Sequence, residues 1–292
     1  MKIAMLWHGD ETKPEDYWNC PLGLSFAFKK LGHHVDIYKF DAGNCNLEKF
    51  FPVADNYDFC IVMWPFVSQT LDSEIKKLRS LSKVKIVLDL GDEPQTFGQG
   101  FERIKYADAG YTPDLRCKRK YIEMGYNVHW LTHWGDEHLF YHDKDVPREN
   151  RCVTTCGQRY GTGYLETMLG DKFVNKRITA KENTTFFNSG TVAYQFANHD
   201  EITRRVMEAG GCKLAVVTNR ISQETGIYDL FKDGVDIMYY QNQEDALKKI
   251  NLLLEDDFLR NALAENIHRK INLHHRAETR CKQIIDIIKS FK

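Results

Sequence analysis

The sequence predicts an α/β protein of two successive βα domains, each built on a parallel sheet. Short continuous apolar runs, Phe59-Cys60-Ile61-Val62-Met63 and Leu214-Ala215-Val216-Val217 among them, have the length of strands covered on both faces. Amphipathic helical patterns alternate with these runs, and repeated βα units at this spacing imply right-handed crossovers within a parallel sheet. The pattern breaks over the polar, proline-containing stretch Tyr141–Asn150 and restarts at Cys152. A chain of 292 residues has room for about two such domains.

In the first half, Lys2–Trp7 reads as a buried strand, followed by a polar loop and an amphipathic helix from Pro21 to Leu31 that Gly32 closes. Val35–Tyr38 is the second strand and Phe59–Met63 the third. A helix over Ser73–Leu81 places Ile75, Leu78 and Leu81 on one face. Val84–Leu88 is the next strand and runs into the loop Asp89-Leu90-Gly91-Asp92-Glu93-Pro94. Ala107–Tyr111, a helix over Asp114–Met124 and Val128–Leu131 complete this half.

In the second half, Cys152–Cys156 is a short strand, followed by the loop Gly157-Gln158-Arg159-Tyr160-Gly161-Thr162-Gly163 and a helix. Glu201–Ala209 is expected to be helical, with strands at Lys213–Thr218 and Val235–Tyr240. The tail carries three helical stripes: Leu247, Ile250 and Leu254; Leu259, Leu263 and Ile267; and Cys281, Ile284, Ile285 and Ile288.

Composition excludes several classes. Forty basic and 41 acidic residues leave a net charge of −1, so no global field advertises a nucleic acid or membrane partner. No apolar run approaches the roughly 20 residues of a membrane span. The opening Met1–Trp7 is apolar too briefly for a signal peptide, and the expected location is the cytoplasm. The eight cysteines include no C-x-x-C pair, which fits neither a zinc site nor a dithiol motif and leaves buried reduced thiols. Asp143-Lys144-Asp145 is the one Asp-x-Asp, and it lies in the linker rather than after a strand, so no metal is expected.

Loops that follow strands are where open α/β sheets bind ligands. The loop 157–163 follows a strand and opens a helix, placing backbone N–H groups and a helix N-terminus where an anion can sit. It is neither G-x-G-x-x-G nor a P-loop, and a plain glycine-rich turn explains it equally well; Arg159 adds a guanidinium suited to phosphate. Arg205 and Glu208 stand three apart on a helix and share a face. An arginine there can hold a pyrophosphate while a carboxylate one turn away accepts bonds from ribose hydroxyls; the competing reading is a surface ion pair.

The run Glu201-Ile202-Thr203-Arg204-Arg205-Val206-Met207-Glu208-Ala209-Gly210-Gly211-Cys212-Lys213-Leu214-Ala215-Val216-Val217-Thr218 resembles the donor-domain core of the CgeB-like glycosyltransferases. Leu230–Tyr240 is similar to that family's loop, acidic-glycine turn and strand, and Glu244–Arg269 to its following helical pair. The resemblance covers about 110 residues of the C-terminal half well and the N-terminal half loosely. It implies the GT-B architecture, two Rossmann-like domains facing across a cleft, and a nucleotide-sugar donor, with UDP-sugar the expected one and no further cofactor. The implied organisation is an acceptor domain over 1–145, a nucleotide-sugar domain over 151–275, and a C-terminal helix, 276–292, returning to the first domain.

By the same resemblance Glu208 binds the ribose, Arg205 a phosphate and Arg159 a second phosphate, with Asn188 facing the donor. Many GT-B enzymes carry two glutamates separated by seven residues; Asp200 stands at the first of these positions here. Asp92 is the candidate base, with Asp89 and then Asp10 or Glu11 as rivals; the competing reading makes all of them caps and turn formers. His8, Gly9 and Gly157 are candidate cleft residues, and packing is the expected job of the tryptophans in Trp130–Asp136.

The acceptor stays open between a glycan, a protein and modified duplex DNA. Lys76, Lys77, Arg79, Lys83 and Lys85, and Arg116, Lys118, Arg119 and Lys120, form basic clusters that suit a phosphate backbone or a solvated helix face. Phage glucosyltransferases of hydroxymethylated DNA bases share the pairing of an arginine with a glutamate three residues on, a partial likeness. A non-catalytic nucleotide-binding module is the alternative, and a Rossmann oxidoreductase is disfavoured because Trp7–Thr12 lacks G-x-G-x-x-G.

Overall fold

The computed structural model describes residues 1–7, 22–40, 46–63, 69–157, 161–176 and 180–290. They form two compact units, Met1–Thr132 with Ala277–Lys292, and His133–Arg276.

The first unit runs β1 (Lys2–Trp7), α1 (Leu22–Lys30), β2 (His34–Lys39), β3 (Phe59–Val62), α2 (Gln69–Leu81), β4 (Lys85–Asp89), α3 (Phe97–Ile104), β5 (Ala109–Thr112), α4 (Leu115–Glu123) and β6 (Val128–Trp130). Its six strands are all parallel, in the order β2-β1-β3-β4-β5-β6. Every residue of β3 is buried, as its unbroken apolar run requires of a central strand. Ala4, Leu6, Cys60, Val62, Ile86 and Leu88 meet Ile75 and Leu78 of α2 in one apolar cluster. Asp114 caps α4 by accepting from the Cys117 N–H at 3.0 Å.

The second unit runs β7 (Cys152–Thr154), α5 (Thr162–Leu169), β8 (Phe173–Asn175), α6 (Ala180–Asn188), β9 (Val192–Gln195), α7 (Arg204–Gly211), β10 (Ala215–Asn219), α8 (Ile227–Leu230), β11 (Met238–Tyr240), α9 (Gln243–Glu255) and α10 (Asp257–His274). Its five parallel strands lie in the order β11-β10-β9-β7-β8. One face packs against α6, α7 and α10 through Val153, Ala193 and Val216; the other packs Tyr194, Val217 and Tyr240 against α5 and α9. The chain ends in α11 (Ala277–Lys289), which belongs to the first unit and packs on α1, where Lys30 pairs with Glu278 at 2.8 Å.

Numbered within its own unit, each sheet reads 2-1-3-4-5, the first sheet adding β6 at its edge. The order reverses between β1 and β3, and again between β7 and β9, and such reversals open a crevice at the carboxyl ends of the strands. At the first reversal the loops 8–21 and 64–68 lie outside the described residues. At the second, the loops are 155–161, without 158–160, and Phe196–Thr203.

Six elements depart from the sequence reading. Helices α3, α6 and α8 and strands β8 and β9 were not expected, and α7 begins at Arg204 rather than at Glu201. His199 and Asp200 have φ of +52° and +60°, outside the helical region, and Ile202 and Thr203 are buried in extended chain before the helix. Cys60, Cys117, Cys152, Cys212 and Cys281 are buried, while Cys156 is half-buried; Cys20 and Cys45 lie outside the described residues.

Candidate functional site

Helix α7 follows the loop after β9, so its N-terminus stands at the order reversal of the second sheet. Its apolar face, Val206, Met207 and Ala209, is buried against the sheet and α10. Gly210 and Gly211 are small for a reason of space. A Cβ at 210 would come 2.8 Å from Ile267 Cγ1, and one at 211 would come 2.6 Å from the Phe140 carbonyl oxygen. Thr203 precedes α7 without capping it through its side chain.

Glu208 is buried, and burial pushes its carboxyl upward; Arg205 and then Arg204 pull in the opposite direction, while Asp136 adds to the rise. Arg205 is half-buried and makes no hydrogen bond or ion pair among the described residues. The Glu208 carboxylate likewise accepts no hydrogen bond from a described residue, while its backbone carbonyl accepts from the Cys212 N–H at 3.1 Å. A guanidinium and a carboxylate one turn apart, both uncommitted, can take a diphosphate and a diol.

The segment after His133 lies directly on this helix. Gly135 has no room for a side chain, since a Cβ would meet the Met207 carbonyl oxygen at 2.8 Å. On either side of it, Trp134 receives the Arg204 guanidinium over its ring at 4.8 Å, and Asp136 Oδ1 accepts from the His138 N–H at 2.9 Å. Burial also raises the Asp136 carboxyl.

Two clamps order the neighbouring loops. Asp200 Oδ1 accepts from the Ser222 N–H at 2.5 Å, and Asn219 bonds both backbone groups of Ala197, at 2.6 and 3.1 Å. The loops after β9 and β10 are thereby tied to each other. Beside them Gln195 and Thr218 are register partners across β9 and β10; the Gln195 amide and the Thr218 hydroxyl are buried without hydrogen-bond partners.

In the loop after β7, Gly157 (φ +68°) is gripped by Asn175, which accepts from its N–H at 3.1 Å and donates to its carbonyl at 2.8 Å. That N–H is therefore spent, and Gly157 shapes the loop rather than offering a free donor. Gly161 enters α5 at φ +78°, and a Cβ there would fall 2.2 Å from Gln243 Cδ. Only glycine satisfies both the left-handed backbone and the closeness of Gln243. Arg159 lies outside the described residues.

The remaining sequence candidates fall apart from this cluster. Asn188 is wholly buried with every polar valence used: Nδ2 donates to the carbonyls of Tyr141 and Thr184 at 2.9 Å, and Oδ1 accepts from Asp143 N–H and Arg148 Nη2 at 3.0 and 2.9 Å. It staples the stretch 141–148 to α6. Asp143 forms a turn by accepting from the Asp145 N–H at 3.0 Å.

In the first unit, Asp89 ends β4 and is buried, with Gly91 folded against its carboxylate. Asp92 is half-buried in the turn that follows, where its carbonyl accepts from the Thr96 N–H at 3.1 Å. His8, Gly9, Asp10 and Glu11 lie outside the described residues. Among the described residues no three His, Cys, Asp or Glu side chains gather as a cation site, and no helix is long and apolar enough to cross a membrane.

The sequence reading singled out Arg205 and Glu208 as candidates and assigned nothing to Arg204, Asp136, Asn175, Gln195 or Thr218. Their partners come from elements far apart in the chain, and no local pattern announces them.

A glycosyl transferase-like family model matches residues 134–286, just over half of the chain. By sequence alone the chain has no significant match among curated proteins. Among solved structures it is similar to an alpha-glucosyltransferase in complex with UDP and a 13-mer DNA containing an HMU base, at 13% identity over 99% of each chain with a TM-score of 0.71. It is also similar to HepE from Anabaena in complex with UDP and glucose, at 15% identity over all of both chains with a TM-score of 0.70. Sucrose-phosphate synthase from Thermosynechococcus elongatus matches at 11% identity over 99% of this chain and 98% of that one, with a TM-score of 0.68.

Proposed function

The chain belongs to the glycosyl transferase-like family, with the GT-B fold of two Rossmann-like domains, and on that premise we propose that it moves a sugar from a UDP-sugar to an acceptor hydroxyl. The observation that carries the donor assignment is the pair on α7: Arg205 and Glu208, one turn apart and uncommitted at the order reversal of the second sheet. Ribose hydroxyls donate to the Glu208 carboxylate, and the Arg205 guanidinium donates to the diphosphate, with Arg159 as its second cation. UDP bound to HepE and to the alpha-glucosyltransferase supports uridine as the base. The run from Glu201 to Thr218 supports a CgeB-like subgroup, and a cytoplasmic setting suits such a donor.

In the transfer, the acceptor oxygen bonds to the anomeric carbon while the bond from that carbon to the diphosphate oxygen breaks. UDP leaves with the electron pair, and the acceptor's proton passes to a carboxylate, Asp92, with Asp89 as its rival. Arginines and the N-terminus of α7 neutralise the leaving diphosphate, so the reaction needs no divalent cation. Calorimetry with UDP, ADP, GDP and dTDP and their glucose conjugates tests the donor. UDP and UDP-glucose should bind most tightly, and binding of none of them would overturn the reading.

A glycan or protein hydroxyl is the acceptor we favour. The second reading, a hydroxymethylated base in duplex DNA, draws on the DNA-bound glucosyltransferase. Against it, several of the basic residues are already engaged. Arg79 and Lys85 both pair with Asp108, Arg116 pairs with Asp114, and Lys77 lies over Phe51. Duplex affinity at two salt concentrations decides between them: Z phosphate contacts give a slope of about −0.9Z in log K against log salt. A steep slope that Lys76→Glu flattens would favour DNA; absent or salt-insensitive binding would remove it.

A further inference from the structure

Glu93, in the turn after β4, is wholly buried. Its Oε1 accepts from the Tyr121 hydroxyl of α4, and its Oε2 is buried with no hydrogen-bond partner. The packing around this bond leaves no slack. A Cβ on Gly100 of α3 would come 2.5 Å from Tyr121 Oη and 2.8 Å from Glu93 Oε1. The groups facing the carboxyl are the Thr112 hydroxyl from β5, the Asp114 carboxylate capping α4, and the Cys117 thiol and Tyr121 hydroxyl of α4 itself. Arg103 of α3 lies toward Tyr121 but bonds Asp72 at 2.5 Å, so no cation pairs with Glu93 among the described residues. A buried carboxylate without a cation is strongly disfavoured, and such a group neutralises instead.

We propose that Glu93 is a positioning residue for Asp92: as a neutral acid anchored to Tyr121 it fixes the turn 92–96, and its ionisation loosens that turn. This rests on the reading that Asp92 takes the acceptor's proton. The anchor lies inside the turn that the Asp92 carbonyl and the Thr96 N–H close at 3.1 Å, so freedom at Glu93 passes directly to its neighbour. Burial pushes the Glu93 carboxyl up to about 7, with Asp114 adding to the rise and Tyr121, then the nearby Thr112 and Cys117, opposing it.

A carboxyl raised in the fold keeps its full stabilising contribution below its unfolded value, and loses it as pH rises through the folded one. Opening of the turn therefore grows between the unfolded value of 4.5 and about 7, and levels off above.

Hydrogen exchange of the full chain tests this over residues 92–100, with intrinsic rates corrected. Protection in the wild type should fall about tenfold per pH unit between about pH 5 and 7, one proton being linked to opening. It should stay level in Glu93→Gln. An unchanged pH dependence in Glu93→Gln would overturn the proposal. Should that variant not fold, carbon-13 titration of the wild-type Glu93 carboxyl decides: a midpoint near 7 that tracks the loss of protection supports the proposal, and one below 5 refutes it. UDP release from UDP-glucose should decline on the alkaline side in the wild type and not in Glu93→Gln. Absence of turnover in both proteins would count against the donor reading alone, with exchange still deciding the role of Glu93.

Discussion

The Arg204 guanidinium carbon stands 4.8 Å from the centroid of the Trp134 ring, which separates the tasks of two consecutive arginines. A cation over an indole face gains on the order of 0.5–2 kcal/mol and is committed to that face. Arg205, next in sequence, has no hydrogen bond or ion pair among the described residues and shares its turn with Glu208. Arg204 thus fastens the segment from Trp134 to α7, and Arg205 stays unengaged among the described residues.

Replacing the two arginines should give different results. Arg205→Ala should weaken UDP about 10- to 100-fold, the loss of a charge-assisted hydrogen bond, with little change in thermal stability. Arg204→Ala should lower the melting temperature and affect UDP less. Calorimetry and thermal melting of both variants check this, and equal effects on UDP would erase the distinction.

Gly161→Ala should destabilise the second unit by about 1–3 kcal/mol, because φ is +78° and Gln243 fills the space a Cβ needs. Part of that cost is contact and part is backbone. Gln243→Ala should recover the contact part, so a double-mutant cycle in denaturant should show coupling between the two positions.

Asp92→Asn should cut turnover about 10²- to 10⁴-fold, the usual contribution of a general base, and leave UDP affinity unchanged. Should Asp89→Asn produce that pattern instead, the base is Asp89.

Removing metal should change nothing. Turnover in excess EDTA should match turnover with added Mg²⁺ or Mn²⁺, since guanidinium groups and a helix N-terminus face the diphosphate in this account. Complete loss in EDTA, rescued by Mn²⁺, would contradict it.

Much of this fold was legible because the central strands are unbroken apolar runs: β1, β3, β4 and β10 were all found within two residues of their ends. The elements that escaped are short or carry misleading residues. Helix α3 contains Gly98 and Gly100, which read as breakers until Tyr121 and Glu93 are seen to exclude any side chain at 100. β8 has three residues and β9 four, below the length at which a period can be read. The spacing of Arg205 and Glu208 was visible because it is local to one helix. The bonds of Asn188 could not be read locally because its partners, Tyr141, Asp143 and Arg148, are forty or more residues away.

In the proposed reading the second unit holds a UDP-sugar through Glu208, and calorimetric titration of UDP into the wild type and Glu208→Ala is the direct test. Losing bonds from both ribose hydroxyls to a buried carboxylate should cost about 1.5–3 kcal/mol, a drop in affinity of roughly 10- to 150-fold. Unchanged UDP affinity in a folded Glu208→Ala protein would contradict the account.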